Sequence, residues 1–167
     1  MVMVPENYLP KGLNKKQRAF QRKQLKRSRK TYKNKKNKNK KERYYTRKPV
    51  PGYKTRRTSW AKRAENIHGI KDIKTNTINK LSKATQCTKK SLNDIIKKGM
   101  GAYFSAGSRP NQTAHSWGYA RLYSAISGGP ASKVDMHILE KGCKKTSKAL
   151  KLAKSKKKTV KKKKVVL

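Results

Sequence analysis

Carboxylates are scarce in this chain: seven Asp and Glu stand against 48 Lys and Arg in 167 residues, for a formal charge of +41. So few acids leave little material for the paired carboxylates of general acid–base catalysis. Apolar residues make up 33% of the chain, against roughly 45–50% in an ordinary globular protein, so any core must be small. No run approaches the roughly 18 to 20 apolar residues that a bilayer crossing requires. The opening MVMVPENYLP is too short and too polar for a signal peptide, and the expectation is a protein made, or packaged, inside a cell. Two cysteines, Cys87 and Cys143, are too few and too far apart for a disulfide framework, and two reduced thiols, one or both buried, are expected. No CxxC or HxxxH spacing links them to His68, His115 or His137, so neither zinc nor any other cofactor is expected. A nucleophilic Cys143 served by His115 or His137 and oriented by Asp135 is available on residue types alone. Nothing in the spacing positions such a set, and a non-enzymatic protein without a small-molecule substrate is expected.

The charge is unevenly spread. Residues 100 to 140 hold three basic residues (Arg109, Arg121 and Lys133) and two acids (Asp135 and Glu140), and the other 126 residues carry the remaining +40. Self-repulsion on that scale opposes compaction unless a polyanion or an acidic protein surface neutralises it, which implies an obligate partner.

Taken in order, residues 1 to 74 read as a basic arm. Val2, Val4, Tyr8, Leu9 and Leu13, interrupted by Pro5 and Pro10, suggest an extended segment lying against something. Asn14 followed by Gln17 reads as a capping box opening a short helix near 14–30. Its Phe20 and Leu25 are too few for a core-facing stripe, so the helix is expected to be a cationic rod that needs a partner to stay ordered. The Lys- and Asn-rich stretch after Tyr32 has nothing to bury. Residues 75 to 142 read as the folded kernel. Ile78, Leu81 and Ala84 share one helical face; Thr88 caps a second helix bearing Leu92, Ile95 and Ile96 and ending at Gly99. The two form a helix-turn-helix-like hairpin whose Lys89, Lys90, Asn93 and Lys97 could face DNA, or which could simply build an α core. A central helix capped by Asn111 or Thr113 runs to about Ser127, with Trp117, Gly118, Leu122, Ala125 and Ile126 inward and Gly118 admitting a close backbone. After Gly128–Pro130 another helix, 131–141, places Val134 and Ile138 inward. Residues 143 to 167 read as a Lys-rich helix and tail ending in an apolar hook, Val165–Leu167. The fold class expected is therefore mainly α: a kernel of about four short helices packed through Ile78, Leu81, Leu92, Ile95, Trp117, Gly118, Leu122, Ile126, Val134 and Ile138, with long, largely extended basic arms at both ends.

Two sets of residues offer themselves for binding. Arg22, Lys23, Arg27, Lys35, Lys36, Arg43, Arg56, Arg57, Arg109, Lys157, Lys158, Lys162 and Lys163 are candidate polyanion contacts. Tyr44, Tyr45, Tyr53 and Trp60, interleaved with cations and prolines, either stack on bases or pin an extended strap into a neighbouring protein. The loop Ser105, Gly107, Ser108, Arg109 could hold an anion through its amides and guanidinium, or it is a glycine-permitted turn whose Arg109 pairs with an acid.

The stretch Ser108-Arg109-Pro110-Asn111-Gln112-Thr113-Ala114-His115-Ser116-Trp117-Gly118, followed by VDMHILEKGC and KTSKALKLAK, resembles a family of short basic proteins of unknown function from large DNA viruses of algae and amoebae. The likeness spans roughly Ile78 to Lys154, with an echo in VPENYLPKGL. It implies a viral origin and no catalytic residue. With that origin, the small kernel, the extended arms and the apolar patches at both termini lead to the expected role of a minor capsid protein stapling capsomers on the inner face of an icosahedral shell, touching capsid proteins and other minor capsid proteins; the alternative is a condenser of the packaged genome. Nucleic acid and an anionic inner membrane surface are the other partners considered, and the expected location is the virion, with host intracellular residence during assembly.

Overall fold

A computed structural model describes residues 3–34, 41–55, 58–71, 77–155 and 164–167, the side chain of residue 42 excepted. Eight α-helices run through them: α1 (Lys15–Lys33), α2 (Trp60–His68), α3 (Thr77–Thr85), α4 (Lys89–Ser105), α5 (Ala114–Ile126), α6 (Pro130–Val134), α7 (Met136–Gly142) and α8 (Lys148–Ser155). Two short strands, β1 (Met3–Pro5) and β2 (Lys164–Val166), pair antiparallel with Met3 opposite Val166. The chain groups into two units. The first takes residues 1–56, 100–117 and 161–167, and the second takes 57–99 and 118–160.

Among the described residues the chain does not form long extended arms. In the first unit, α1 is a 19-residue helix opened by the expected capping box: Asn14 Oδ1 accepts from the Gln17 amide at 2.8 Å and Gln17 Oε1 from the Asn14 amide at 3.1 Å. Its inward face, Gln21, Gln24, Leu25 and Ser28, recurs at helical spacing but is mostly polar. Hydrogen bonding replaces the missing apolar stripe. Gln21 Nε2 donates to the carbonyls of Tyr8 (3.2 Å) and Ser108 (3.3 Å), and Ser28 Oγ to that of Phe104 (3.3 Å). Gln24 Oε1 accepts from the Tyr45 hydroxyl (2.9 Å) and the Lys48 amide (3.2 Å). Leu25 supplies the apolar contact, with Val4, Tyr8, Leu9 and Leu167 around it and Trp117 and Val165 partly buried against them. The apolar hook at Val165–Leu167 thus closes on the apolar patch near residue 4 within one chain.

The Ser108–Gly118 motif has a structural task in this unit. Gly107 stands at φ +100°, and a Cβ there would lie 2.7 Å from Leu25 Cδ2. Replacing it with alanine should therefore lower stability by about 2 kcal/mol, from left-handed strain alone; a urea midpoint equal to wild type would contradict this. Asn111 accepts from the Val50 amide through Oδ1 (2.7 Å) and donates through Nδ2 to the Tyr53 carbonyl, while Thr55 Oγ1 donates to the Pro110 carbonyl (2.9 Å). The motif is a clamp on the segment 50–55, where Tyr53 N donates to Val50 O at 3.3 Å and Gly52, at φ +68°, allows the turn.

The second unit carries much of the expected kernel. Leu81, Leu92, Ile95, Gly118, Leu122 and Ile126 are buried, and Ile78 and Ile138 half-buried. Trp117 packs in the first unit instead, edge-on to Tyr8 with ring centroids 5.7 Å apart. Val134 is corrected: it is 59% exposed, because α6 lasts only five residues and Asp135, fully buried, takes the inward position. Ala84, too, is exposed. Asp135 binds Arg121 through two hydrogen bonds (Nε to Oδ2 2.7 Å, Nη2 to Oδ1 2.8 Å), with Lys98 Nζ 3.1 Å from Oδ1. The helix from Thr88 does not stop at Gly99. It continues to Ser105, and Gly99 serves a close approach instead: a Cβ there would lie 2.7 Å from Gly118 Cα. The cysteines are not free thiols. Cys87 and Cys143 form a disulfide across a local bridge in which Thr88 N donates to Gly142 O (2.8 Å) and Lys144 N to Gln86 O (3.0 Å).

His68 gives this unit a pH dependence. Its Nε2 must donate to the Ile126 carbonyl at 2.9 Å, since a carbonyl only accepts, while Nδ1 is buried without a partner. Burial chiefly holds its pKa below the ordinary 6.5, Lys148 lowers it further, and the Ile126 carbonyl opposes both. The unfolded chain therefore binds this proton more readily than the folded one. Stability is full above about pH 6.5 and falls as pH drops from there towards the folded pKa. Urea midpoints at pH 7.5 and 5.5 should differ in wild type and differ less in His68→Asn; an equal difference in both proteins would rule His68 out as the cause.

Candidate polyanion-binding face

The first unit holds 26 Lys and Arg against two acids, Glu6 and Glu42, by sequence. With hardly a carboxylate to pair with, its cations divide by the neutral groups they reach. Arg18 donates to the carbonyls of Leu9 (3.2 Å) and Pro10 (3.1 Å), and Arg29 to that of Ala106 (3.3 Å). Arg47 is the extreme case, only 8% exposed. Its Nη1 donates to Ser28 Oγ (2.8 Å) and the Tyr103 carbonyl (2.9 Å), its Nη2 to Ser108 Oγ (2.8 Å), and its guanidinium carbon lies 3.7 Å from the Tyr103 ring centroid. Burial pushes the Arg47 pKa down, against the nearby Tyr103, Tyr8 and Tyr45 hydroxyls. Arg47 is the hub that joins α1, the segment after it and the Ser108 loop.

Another set of cations on α1 faces outward. Arg22, Lys23, Lys26 and Lys30 are exposed, and with Ala19 and Arg27 they line an open groove along α1. The spacing 19, 22, 23, 26, 27, 30 is that of a single helical face. Ten of the 19 residues of α1 are basic and none is acidic. The polar inward face of α1 locks the helix into its unit, and that anchoring holds a row of like charges together on the other side.

The expected binding residues fall into distinct groups. Arg22 and Lys23 belong to the outward row. Arg27 borders it with its guanidinium 4.5 Å from the Tyr45 ring. Arg43 is half-buried, stacked 4.2 Å from the Tyr32 ring and 6.0 Å from that of Tyr44. Arg109 is half-buried beside Ser108, whose hydroxyl donates to the Arg109 carbonyl (2.9 Å); no ion pair to it is found among the described residues. Lys35, Lys36, Arg56, Arg57, Lys157, Lys158, Lys162 and Lys163 lie outside the described residues. Lys26, Lys30 and Arg47 are additions that charge and aromatic spacing alone do not single out. Applying the 3.6-residue period to cations as well as to apolar residues finds the first two; Arg47 has no sequence signal, because its partners lie 19, 56 and 61 residues away.

The aromatic residues make contacts within their own units. Tyr44, 50% exposed, packs on Phe104 (4.9 Å) and Tyr32 (6.3 Å), and Phe104 meets Tyr103 edge-on (5.0 Å). Tyr45 lies under Arg27. Tyr53 comes within 3.9 Å of the Cβ position at Gly12, and Trp60 lies beside Gly129 in the second unit. Of the Cys143, His115, His137 and Asp135 set, Cys143 is disulfide-bonded and Asp135 is held by Arg121, so no thiol faces an imidazole. Among the described residues no group of three or more His, Cys, Asp or Glu converges on a metal-sized site, and no helix is long and apolar enough to cross a membrane.

These features define a small, strongly basic helical protein in which several guanidiniums hold backbone and one helix, α1, carries a row of exposed cations. The chain belongs to DUF5824, a family of unknown function whose profile matches residues 5–137. No curated protein and no solved structure matches it.

Proposed function

We propose that this protein binds nucleic acid without reading its sequence and neutralises the packaged genome of a large DNA virus, the origin its Ser108–Gly118 motif implies. One observation carries this reading: the exposed row Arg22, Lys23, Lys26 and Lys30, on a helix that contains no acid. Like charges three and four residues apart on a helix have Cβ atoms about 5–6 Å apart, inside the roughly 8 Å Debye length of physiological salt, and a polyanion laid along them relieves their repulsion while releasing its own counterions. Stapling of capsomers rests chiefly on extended basic arms, and the folding of residues 3–34 and 41–55 into a unit removes that motive.

Binding to DNA in dilute buffer follows from +41 whatever the role, so the test is stoichiometry in the assembled particle. A genome condenser is present in copies that rise with the length of packaged DNA. A copy number locked to the lattice of the shell, unchanged between particles with full and shortened genomes, would contradict this reading and favour the minor capsid role.

A further inference from the structure

We infer that the outward row of α1 is fitted to double-stranded rather than single-stranded nucleic acid, which rests on the nucleic-acid reading above and narrows it. The spacing of the row matches a duplex. From Arg22 to Lys30 the helix advances about 12 Å at 1.5 Å per residue, so its four outward cations are spaced about 4 Å apart on average along the axis. A duplex presents one phosphate per 3.4 Å along each strand. The anchored helix meets that density without rearrangement, whereas a flexible single strand has to be ordered against it.

The row also lacks a stacking partner for bases. Single-strand binders set aromatic rings along the cationic track, each worth roughly 1–3 kcal/mol per base. The row contains no ring, and the nearest candidates are occupied: Tyr45 has Arg27 over its face and its hydroxyl on Gln24, and Tyr32 has Arg43 over it and Tyr44 beside it. The same composition disfavours a lipid surface. Ala19 is the row's one apolar residue, and Leu25, which a membrane-binding helix would turn outward, is fully buried inside the unit.

The magnitude follows from counterion release. Four phosphate contacts give a salt exponent of about −3.6 on duplex and about −2.8 on single strand. Taking the two affinities as equal at 1 M salt, the row should favour duplex by about 10-fold at 50 mM and about 4-fold at 200 mM. The test is competition between a 20-base-pair duplex and an unstructured 20-mer, at both salt concentrations, for the full-length protein. The row variant combines Arg22→Gln, Lys23→Gln, Lys26→Gln and Lys30→Gln. Its control carries the same replacement at four exposed lysines of the second unit, Lys89, Lys90, Lys97 and Lys145. Glutamine keeps helix propensity and removes repulsion, and thermal unfolding of each variant verifies the fold. The row variant should lose the 10-fold and 4-fold preference while the control retains it. Equal losses in both variants, or a wild-type preference for the single strand, would overturn the assignment and leave general nucleic-acid binding standing. Tighter binding to phosphatidylserine vesicles than to duplex would overturn it in favour of a membrane, and failure to bind either nucleic acid at 50 mM salt would remove the parent reading as well.

Discussion

Treated with a thiol reductant, the protein should lose about 4 kcal/mol of stability, a shift of about 2 M in its urea midpoint at a typical slope of about 2 kcal/mol per molar. Cys87 and Cys143 are 56 residues apart, and closing a loop of that length removes about 14 cal/mol/K of entropy from the unfolded chain, or about 4 kcal/mol at room temperature. Around the bond, Ser147 Oγ donates to Thr85 O at 2.6 Å and the two bridge amides hold the turn beside it, so the fold should persist in weakened form. The double variant Cys87→Ser, Cys143→Ser should melt with the reduced wild type and ignore the reductant. An unmoved midpoint on reduction would show that the crosslink carries no stability.

Arg47 should be the costliest single position in the first unit. Hydrogen bonds to a charged donor are worth roughly 1.5–3 kcal/mol each, and Arg47 makes three such bonds to buried acceptors besides stacking on Tyr103. Both serines already donate elsewhere, Ser28 to Phe104 O and Ser108 to Arg109 O, so they depend on the guanidinium to fill their acceptor sites. Arg47→Ala should cost about 4 kcal/mol, a large share of the roughly 5–15 kcal/mol available to a small protein. Arg47→Lys should cost about half as much, since a single ammonium keeps the charge but cannot span Ser28, Ser108 and the Tyr103 carbonyl as a planar fork does. Urea unfolding of both variants checks the order. A wild-type midpoint for Arg47→Ala would show that the three bonds contribute no net stability.

Much of the local structure is legible in the sequence. Asn14 and Gln17 announce α1, and Thr88 and Thr113 accept from the amides of Ser91 (3.3 Å) and Ser116 (3.0 Å) as helix caps do. Gly118 is the point of close approach that its place on α5 suggests. Its counterpart, Gly99, reads as a helix stop and is not one, because a glycine needed for space and one needed for backbone freedom look alike in a sequence.

The larger departure concerns the basic arms, and its cause is physical. Counting apolar residues on α1 finds Leu25 and little else, which argues for a free rod. Its inward residues are Gln21, Gln24 and Ser28, whose contribution comes from directional bonds to backbone atoms as far away as Ser108. Such bonds leave no periodic apolar signature. The rings at Tyr44 and Tyr45 make contacts that aromatic spacing alone does not show, with Tyr44 on Phe104 and Tyr32 and Tyr45 under Arg27. The disulfide is silent in the sequence because two cysteines 56 residues apart carry no spacing signal, and only the pairing of the α3–α4 turn with the end of α7 brings them together. The outward row is half legible, with Arg22, Lys23 and Arg27 evident from charge and Lys26 and Lys30 recoverable from helical period.

Polyanion binding by this protein requires that α1 keep its outward cations available to phosphate while Gln21, Gln24 and Ser28 hold the helix in place. The salt dependence of duplex binding measures that directly, as the slope of log affinity against log salt for wild type and for the row variant. Removing Arg22, Lys23, Lys26 and Lys30 should make the slope shallower by about 3–4 units, at about 0.9 for each phosphate no longer neutralised. A slope that stays the same, or that changes equally when Lys89, Lys90, Lys97 and Lys145 are removed, would contradict it.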